Sequence, residues 1–120
     1  MSLNKKINSN LPENKCSVSY TQQLIAGRWK LVIMWHLSQE TRRFNELQKL
    51  LPGVSKGILT RQLREMEEDG LVHREVYKEV PPKVEYSLTK EGQEFLPILT
   101  SMGNWGAKHR EILEQKKNNK

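Results

Sequence analysis

The chain has 120 residues, with 20 Lys and Arg against 14 Asp and Glu, a formal net charge of +6, and a single cysteine. This length is typical of one domain that buries one core without disulfides or bound metal. The longest apolar run, residues 31–35, is far shorter than the roughly 20 residues that a membrane span requires, and no secretory signal is recognisable. We therefore expect a cytoplasmic protein without membrane contact, and the positive charge favours a polyanionic partner.

The residues that usually build catalytic or metal sites are scarce. The three histidines lie more than thirty residues apart, and Asp69 is the only aspartate. A zinc site normally takes ligands from pairs roughly two to five residues apart, and no such pair occurs. The sequence also lacks a nucleophile-elbow motif and a glycine-rich phosphate loop. We predict no enzymatic activity, no metal and no cofactor.

The two ends of the chain differ from the segment between them. Residues 1–15 are polar and without periodicity, which predicts a flexible arm, and the composition of residues 116–120 predicts a frayed tail. Residues 16–115 then form a single predicted domain, since no internal repeat or linker divides them.

The first half of this domain has the pattern of three helices. Residues 20–25 favour a short first helix that ends at Gly27. Residues 29–37 are strongly apolar and predict a second, central and buried helix. Apolar residues recur at helical spacing over residues 44–51, and the Pro-Gly pair at 52–53 ends this third helix.

A fourth helix and a hairpin follow. Ser55 is a favourable N-cap for a helix that runs to about Asp69 and ends at Gly70. Its core-facing residues are predicted to be Leu59, Leu63 and Met66. Strands are predicted over Leu71–Tyr77 and Val84–Leu88, joined by a loop with two prolines.

Thr89 is the predicted cap of a last, long helix that reaches about Gln115 and is interrupted at Pro97. The complete order is four helices, a hairpin and a final helix. This order predicts a mainly α fold with a small β-hairpin (α+β), namely a winged helix-turn-helix.

The fourth helix is chemically polarised along its axis. Residues 42–64 carry a net charge of +5, whereas residues 65–69 carry −4. A helix whose N-terminal half enters the major groove of DNA needs this polarity, since its basic end meets phosphates and base edges. We expect Arg61 and Arg64 to contact guanine, and Ser55, Lys56 and Thr60 to contact phosphates. The alternative is a solvated face that happens to be basic.

Further contacts with the DNA backbone are predicted beside this helix. Lys78 and Lys83 flank the two prolines of the hairpin loop, which suits a wing that touches the backbone or the minor groove. Arg42 and Arg43 precede the third helix and are additional candidates. For all four side chains, simple solvation is the alternative.

Several segments resemble the HxlR-type transcriptional regulators, which are relatives of the MarR proteins. The matching segments are Gly-Arg-Trp-Lys at 27–30, Arg-Phe-Asn-Glu-Leu at 43–47, residues 59–72, the hairpin sequence Val-Pro-Pro-Lys-Val-Glu-Tyr at 80–86 and Trp-Gly at 105–106. Together with the run from Cys16 they span residues 16–109. The resemblance implies a dimeric winged-helix protein that binds an operator near regulated genes.

The resemblance also implies a possible role for Cys16. Some members of this family respond to oxidants or electrophiles through a cysteine near the N-terminus. This chain has no second cysteine, so sensing requires Cys16 to pair with its symmetry mate, to be capped by a small thiol, or to be alkylated. The alternative is a small buried residue behind the first helix.

The last helix carries an apolar stripe with spacings of 4, 3, 4 and 3 residues. Its members are Ile98, Met102, Trp105, His109 and Ile112. Such a stripe packs either on the chain's own core or on a partner helix, and its length favours a two-fold dimer formed by the N- and C-terminal helices. A dimer of this kind sets two recognition helices roughly 34 Å apart, which matches a pseudo-palindromic operator.

These features predict a homodimeric, sequence-specific regulator of transcription that binds double-stranded DNA. Repression by occupation of the promoter is expected, with activation as the alternative. One further alternative is a small-molecule-responsive regulator of the MarR kind, with an apolar pocket lined by Trp29, Trp35 and Trp105. Another is a winged-helix module that binds protein, which requires an apolar or acidic outer face on the fourth helix.

Overall fold

The computed structural model describes residues 16–119, so the arm predicted for residues 1–15 lies outside the described part of the chain. The elements in chain order are α1 (Ser17–Leu24), α2 (Lys30–Gln39), α3 (Phe44–Leu50), α4 (Lys56–Glu68), β1 (Val72–Tyr77), β2 (Lys83–Leu88), α5 (Lys90–Glu94) and α6 (Leu96–Asn118). The fold is mostly helical with one two-stranded antiparallel sheet, which confirms the predicted fold class.

The core lies between α2, α3, α4 and the hairpin. Its buried apolar residues are Ile33, Met34, Leu37, Leu47, Leu51, Val54, Leu59, Leu63, Met66, Leu71, Val72 and Leu88. The prediction that α2 is central is confirmed, because α2 packs against α3, α4, β2 and α6. The predicted inner face of α4 is also confirmed, since Leu59, Leu63 and Met66 are all buried.

The C-terminal region differs from the prediction of one interrupted helix. The chain forms two helices, and the break lies at Phe95, so that Pro97 occupies the first turn of α6. Proline is tolerated there because the first turn has no intrahelical partner for its missing N–H. The last helix extends to Asn118, three residues beyond its predicted end at about Gln115. Lys116 and Lys117 suit this end because cations stabilise the negative pole of a helix.

The hairpin is held by hydrogen bonds between its two strands and by a further bridge from β2 to the segment before α3. In the ladder Val72 pairs with Leu88 at the base and Tyr77 with Lys83 near the tip. The backbone of Tyr86 in β2 also bonds to Arg42, with N···O distances of 2.7 and 3.0 Å in the two directions. The hairpin is therefore attached to the segment that precedes α3.

Candidate nucleic-acid interface

A tight turn connects α3 to α4. Gly53 in this turn has φ +89°, a conformation that side chains disfavour. Ser55 then caps α4, because its Oγ accepts a hydrogen bond of 3.1 Å from the backbone N–H of Ile58. The Ser55 hydroxyl proton takes no part in this bond, so it is available to an acceptor outside the helix.

The N-terminal half of α4 exposes a basic surface, as its sequence indicates. The side chains of Lys56, Arg61 and Arg64 are exposed, and none forms an ion pair with another described residue. Thr60 is exposed as well, but its hydroxyl donates to the carbonyl of Lys56 at 2.7 Å. Thr60 must give up that bond in order to donate to a phosphate.

The opposite side of α4 is tied to α2 and to the turn before it. Lys30 is only 4% exposed, and its Nζ lies 3.1 Å from Oε1 of Glu65. Gln62 is buried against Gly27, where an added Cβ would lie 2.7 Å from the Gln62 Oε1 atom. The acidic end of α4 therefore has a structural use, since one of its carboxylates neutralises a buried lysine.

The last acidic residue of α4 lies in a less favourable place. Burial raises the pKa of Asp69, an effect that the nearby Lys30 ammonium opposes and the carboxylates of Glu68 and Glu65 reinforce. Asp69 is also the C-cap of α4, where the helix dipole disfavours negative charge. The sequence shows the charge, but not the burial that alters it.

Arg42 occupies a different position from the one predicted. Its side chain is 16% exposed, its Nη1 lies 2.9 Å from Oε1 of Glu40, and its Nε donates to the His36 carbonyl at 3.3 Å. The guanidinium therefore fastens the end of α2 to the following loop, and the hypothesis of a DNA contact is not supported for this residue. Burial and the Arg42 charge both lower the pKa of His36. Arg43, by contrast, has an exposed side chain.

The two wing lysines also differ from each other. Lys78 is exposed in the loop between the strands. Lys83 lies 4.8 Å from the centre of the Tyr77 ring, and its Nζ is 3.7 Å from Oε2 of Glu85. Of the two lysines, Lys78 is thus the more available for a contact with the DNA backbone.

A polar cleft separates α4 from the hairpin. Its volume is about 290 Å³, and it is lined by Thr60, Arg64 and Glu67 of α4, Arg74 of β1 and Tyr86 of β2. Sequence reasoning missed Arg74 and Tyr86, because helix periodicity does not show which strand residues face a helix. The only local signal is that Arg74 stands in an exposed strand.

The stripe of α6 faces away from the core. Trp105 is 68% and Ile98 51% exposed, and no residue of α6 is buried. His109 stacks on Trp105 with ring centres 4.8 Å apart. An apolar groove of about 400 Å³ lies between α6 and α2 and includes Trp35 and Met102. Trp29 packs against the core and Trp105 does not line this groove, so the three tryptophans do not form one pocket.

Cys16 immediately precedes α1. It is half-buried, and its backbone carbonyl accepts a hydrogen bond of 2.7 Å from the N–H of Tyr20. This burial is intermediate between the accessible thiol and the fully buried residue that the sequence allowed. Within residues 16–119, no helix is long and apolar enough to cross a membrane, and no cluster of three metal-ligating side chains occurs.

The turn-linked pair α3 and α4, followed by the β1–β2 wing, defines a winged helix-turn-helix protein. The family model described as HxlR-like helix-turn-helix matches residues 24–114 of this chain. The chain belongs to the HxlR-like family, as its motifs indicate.

Individual relatives extend the same result. YybR of Bacillus subtilis, an uncharacterized HTH-type transcriptional regulator, is 46% identical over 112 residues that cover 92% of this chain and 90% of YybR. The redox regulator HypR in its reduced form is 47% identical with a TM-score of 0.78, covering 82% of this chain and 97% of HypR. A MarR-family regulator from Enterococcus faecalis V583 is 42% identical with a TM-score of 0.74, covering 94% and 99% of the two chains. The chain is therefore an HTH-type transcriptional regulator, not an enzyme.

Proposed function

We propose that this protein is a cytoplasmic homodimer that binds specific double-stranded DNA and regulates transcription, most simply as a repressor. The observation that carries the proposal is the exposed basic half of α4. Lys56, Arg61 and Arg64 project from a helix whose other faces are held by the core and by the Lys30–Glu65 ion pair. A rigid helix with a free basic face is what insertion into a major groove requires.

The contacts of α4 follow from the positions of its side chains. Arg61 lies directly opposite the buried face, so it is best placed to form two hydrogen bonds with a guanine edge. Lys56 and the free proton of Ser55 lie at the positive end of the helix and are suited to phosphates. Arg43 and Lys78 add backbone contacts on either side.

The exposed stripe of α6 supports the homodimer. Large apolar patches on a folded surface usually mark an interface, because their burial lowers the free energy of association. A second copy that covers Met102, Trp105 and Ile112 would form a two-fold interface with the same surface on both subunits. A dimer on promoter DNA would block the polymerase by occupying its site.

DNA binding is tested with the duplex upstream of the gene, measured by fluorescence anisotropy across a salt series. We expect specific binding whose log affinity falls steeply and linearly with log salt. Arg61→Ala should weaken binding to this duplex by roughly tenfold to a hundredfold, since a bidentate base contact contributes about 1–3 kcal/mol. Binding to a duplex of scrambled sequence should fall much less. Equal losses on the two duplexes would contradict the base-contact role of Arg61.

We further propose that an oxidant or electrophile modulates binding through Cys16. The support is the half-buried thiol before α1 and the 47% identity to HypR, which is described as a redox regulator. With no second cysteine in this chain, modification proceeds through the symmetry mate, a small thiol or an alkylating agent. Treatment with diamide should change the DNA affinity of the wild type and leave Cys16→Ser unchanged. An equal response of both proteins would refute the role of the thiol.

A further inference from the structure

The cleft between α4 and the hairpin, defined above by five lining residues, brings two arginines together. Arg64 comes from the third turn of α4 and Arg74 from β1. Neither forms an ion pair with a carboxylate in the described part of the chain. Two guanidinium groups on one cleft repel each other, and a bound anion relieves this repulsion. The cleft therefore has the charge of an anion site.

The remaining walls supply hydrogen-bonding groups and one opposing charge. Tyr86 and Thr60 are lining residues whose side chains carry a hydroxyl group, and Glu67 is the one carboxylate among the lining residues. The Glu67 charge offsets one arginine and leaves the cleft with a net positive charge. A singly charged anion fits this balance better than a multiply charged one.

The cleft is held in place by backbone bonds on its hairpin side. Tyr86 pairs with Arg74 across the ladder and bonds to Arg42 on its other edge. The Tyr86 ring also packs against the core. Because these contacts already hold the backbone of the cleft and the Tyr86 ring, an anion has to order mainly the two arginine side chains.

The location of the cleft identifies the anion. When α4 occupies a major groove, the DNA strand that borders this groove passes between the recognition helix and the wing. Each phosphodiester of that strand carries a single negative charge. A base edge, by comparison, lies deeper in the groove, on the side that Arg61 faces.

We infer that this cleft binds one backbone phosphate of DNA, with Arg64 and Arg74 as its cationic ligands and the Tyr86 hydroxyl as a donor. The inference rests on the proposed function and revises one expectation drawn from the sequence. Arg64 is assigned to the backbone, not to guanine, so Arg61 is left as the arginine that contacts a base.

The test compares Arg74→Gln with Lys90→Gln, which removes the same charge from an exposed position at the start of α5. Both are measured on a duplex selected from a random pool and on a scrambled duplex, across a salt series. Arg74→Gln should lower the affinity for both duplexes about tenfold, because hydrogen bonds to charged groups are strong. The slope of log affinity against log salt should fall by about one. Lys90→Gln should change neither quantity appreciably.

Two further variants separate a phosphate ligand from a structural role. Tyr86→Phe keeps the packed ring and removes the hydroxyl. It should lower the affinity for the two duplexes by the same factor, and this factor should be smaller than that of Arg74→Gln. Glu67→Gln removes the opposing charge and should strengthen binding to both. A general distortion of the hairpin would weaken binding in every variant, and that result would overturn the inference.

The outcomes distinguish the two proposals. If the wild type binds the selected duplex tightly and Arg74→Gln behaves like Lys90→Gln, the phosphate site is refuted and the proposed function stands. If Arg74→Gln weakens only the selected duplex, the residue contacts a base and the inference is wrong. If the wild type enriches no sequence and binds neither duplex, the proposed function fails and the phosphate site fails with it.

Discussion

The two longest helices within residues 16–119, α4 and α6, differ in how far their own chain buries them and in the residues that they expose. The inner face of α4 is buried in the core at Leu59, Leu63 and Met66, and its outer face is charged. α6 is longer, at 23 residues, but none of them is buried, and one stripe of its exposed surface is apolar. The apolar face of α4 is thus buried within its own chain, whereas the apolar stripe of α6 is left exposed.

This difference indicates what each surface is for. A charged face on an anchored helix needs no partner for stability, so it is available to a polyanion. An apolar face on a weakly anchored helix gains free energy when it is covered, at roughly 25 cal/mol per Å². We therefore expect mutations in α4 to change the stability of the fold or the affinity for DNA. Mutations in the stripe of α6 should change the affinity between two copies of the chain.

The largest effect is expected from truncation of the core face of α4. Leu63→Ala removes a fully buried side chain and should lower the free energy of unfolding by about 2–5 kcal/mol. The loss should be the same at low and high protein concentration, since the site lies within one chain. Urea unfolding at two concentrations measures it. A loss that disappears at high concentration would place Leu63 at an interface instead.

A charge placed in the stripe of α6 should weaken the association of two copies of the chain. Met102→Asp places a carboxylate where a second copy is expected, and burying a polar group without a partner costs roughly 1–3 kcal/mol. The dimer should weaken by about tenfold to a hundredfold in sedimentation equilibrium. Ala107→Asp, at an exposed position on the other side of α6, is the matched control and should leave the dimer intact. Equal dissociation constants for the two variants would argue against the stripe as the interface.

The ion pair behind α4 should have a smaller effect. Glu65→Gln leaves the buried ammonium of Lys30 without its counter-charge, and unfolding free energy should fall by about 1 kcal/mol. The low value reflects the exposure of Glu65, which lets water reach the pair. Glu68→Gln removes an exposed carboxylate from the same helix and should change stability by less than about 0.5 kcal/mol. If both variants were equally stable, the pair would contribute nothing.

The smallest effect concerns Asp69. Burial raises its pKa in the folded protein, so the protein loses stability as the pH rises from the ordinary aspartate value of 3.8 through that raised pKa. Asp69→Asn should therefore stabilise the protein at pH 7 by about 0.3–1 kcal/mol, which is the usual effect of removing an unfavourable charge from a helix end. The gain should shrink as the pH falls through the raised pKa toward the ordinary aspartate value of 3.8. A gain that grew on acidification would contradict the raised pKa.

Local rules predicted the elements of the fold well. The Ser55 cap, the turn at Gly53 and the inner face of α4 depend on residues only a few positions apart, and the structure confirms all three. The break before α6 was predicted at Pro97 and lies at Phe95, because proline is tolerated inside a first turn. A proline alone therefore does not show on which side of it a helix begins.

The parts that sequence reasoning missed depend on residues far apart in the chain. Arg42 meets the backbone of Tyr86, and Lys30 meets Glu65, only after the hairpin and α4 have packed against α2. The partnered charge of Arg42 could not be distinguished from a free one by composition. The same packing creates the cleft that unites Arg64 with Arg74. The sequence thus shows where each charged residue stands in the chain, but not which distant residue it contacts in the fold.

The most direct test is a hydroxyl-radical footprint of the protein on a duplex selected from a random pool. If α4 contacts the DNA and α6 forms the two-fold dimer, the selected sequence is a pseudo-palindrome. Two protected segments should then lie on one face of the duplex with centres about 10 base pairs apart, or a multiple of that spacing. A single protected segment without symmetry, or a pool from which no sequence is enriched, would contradict this arrangement.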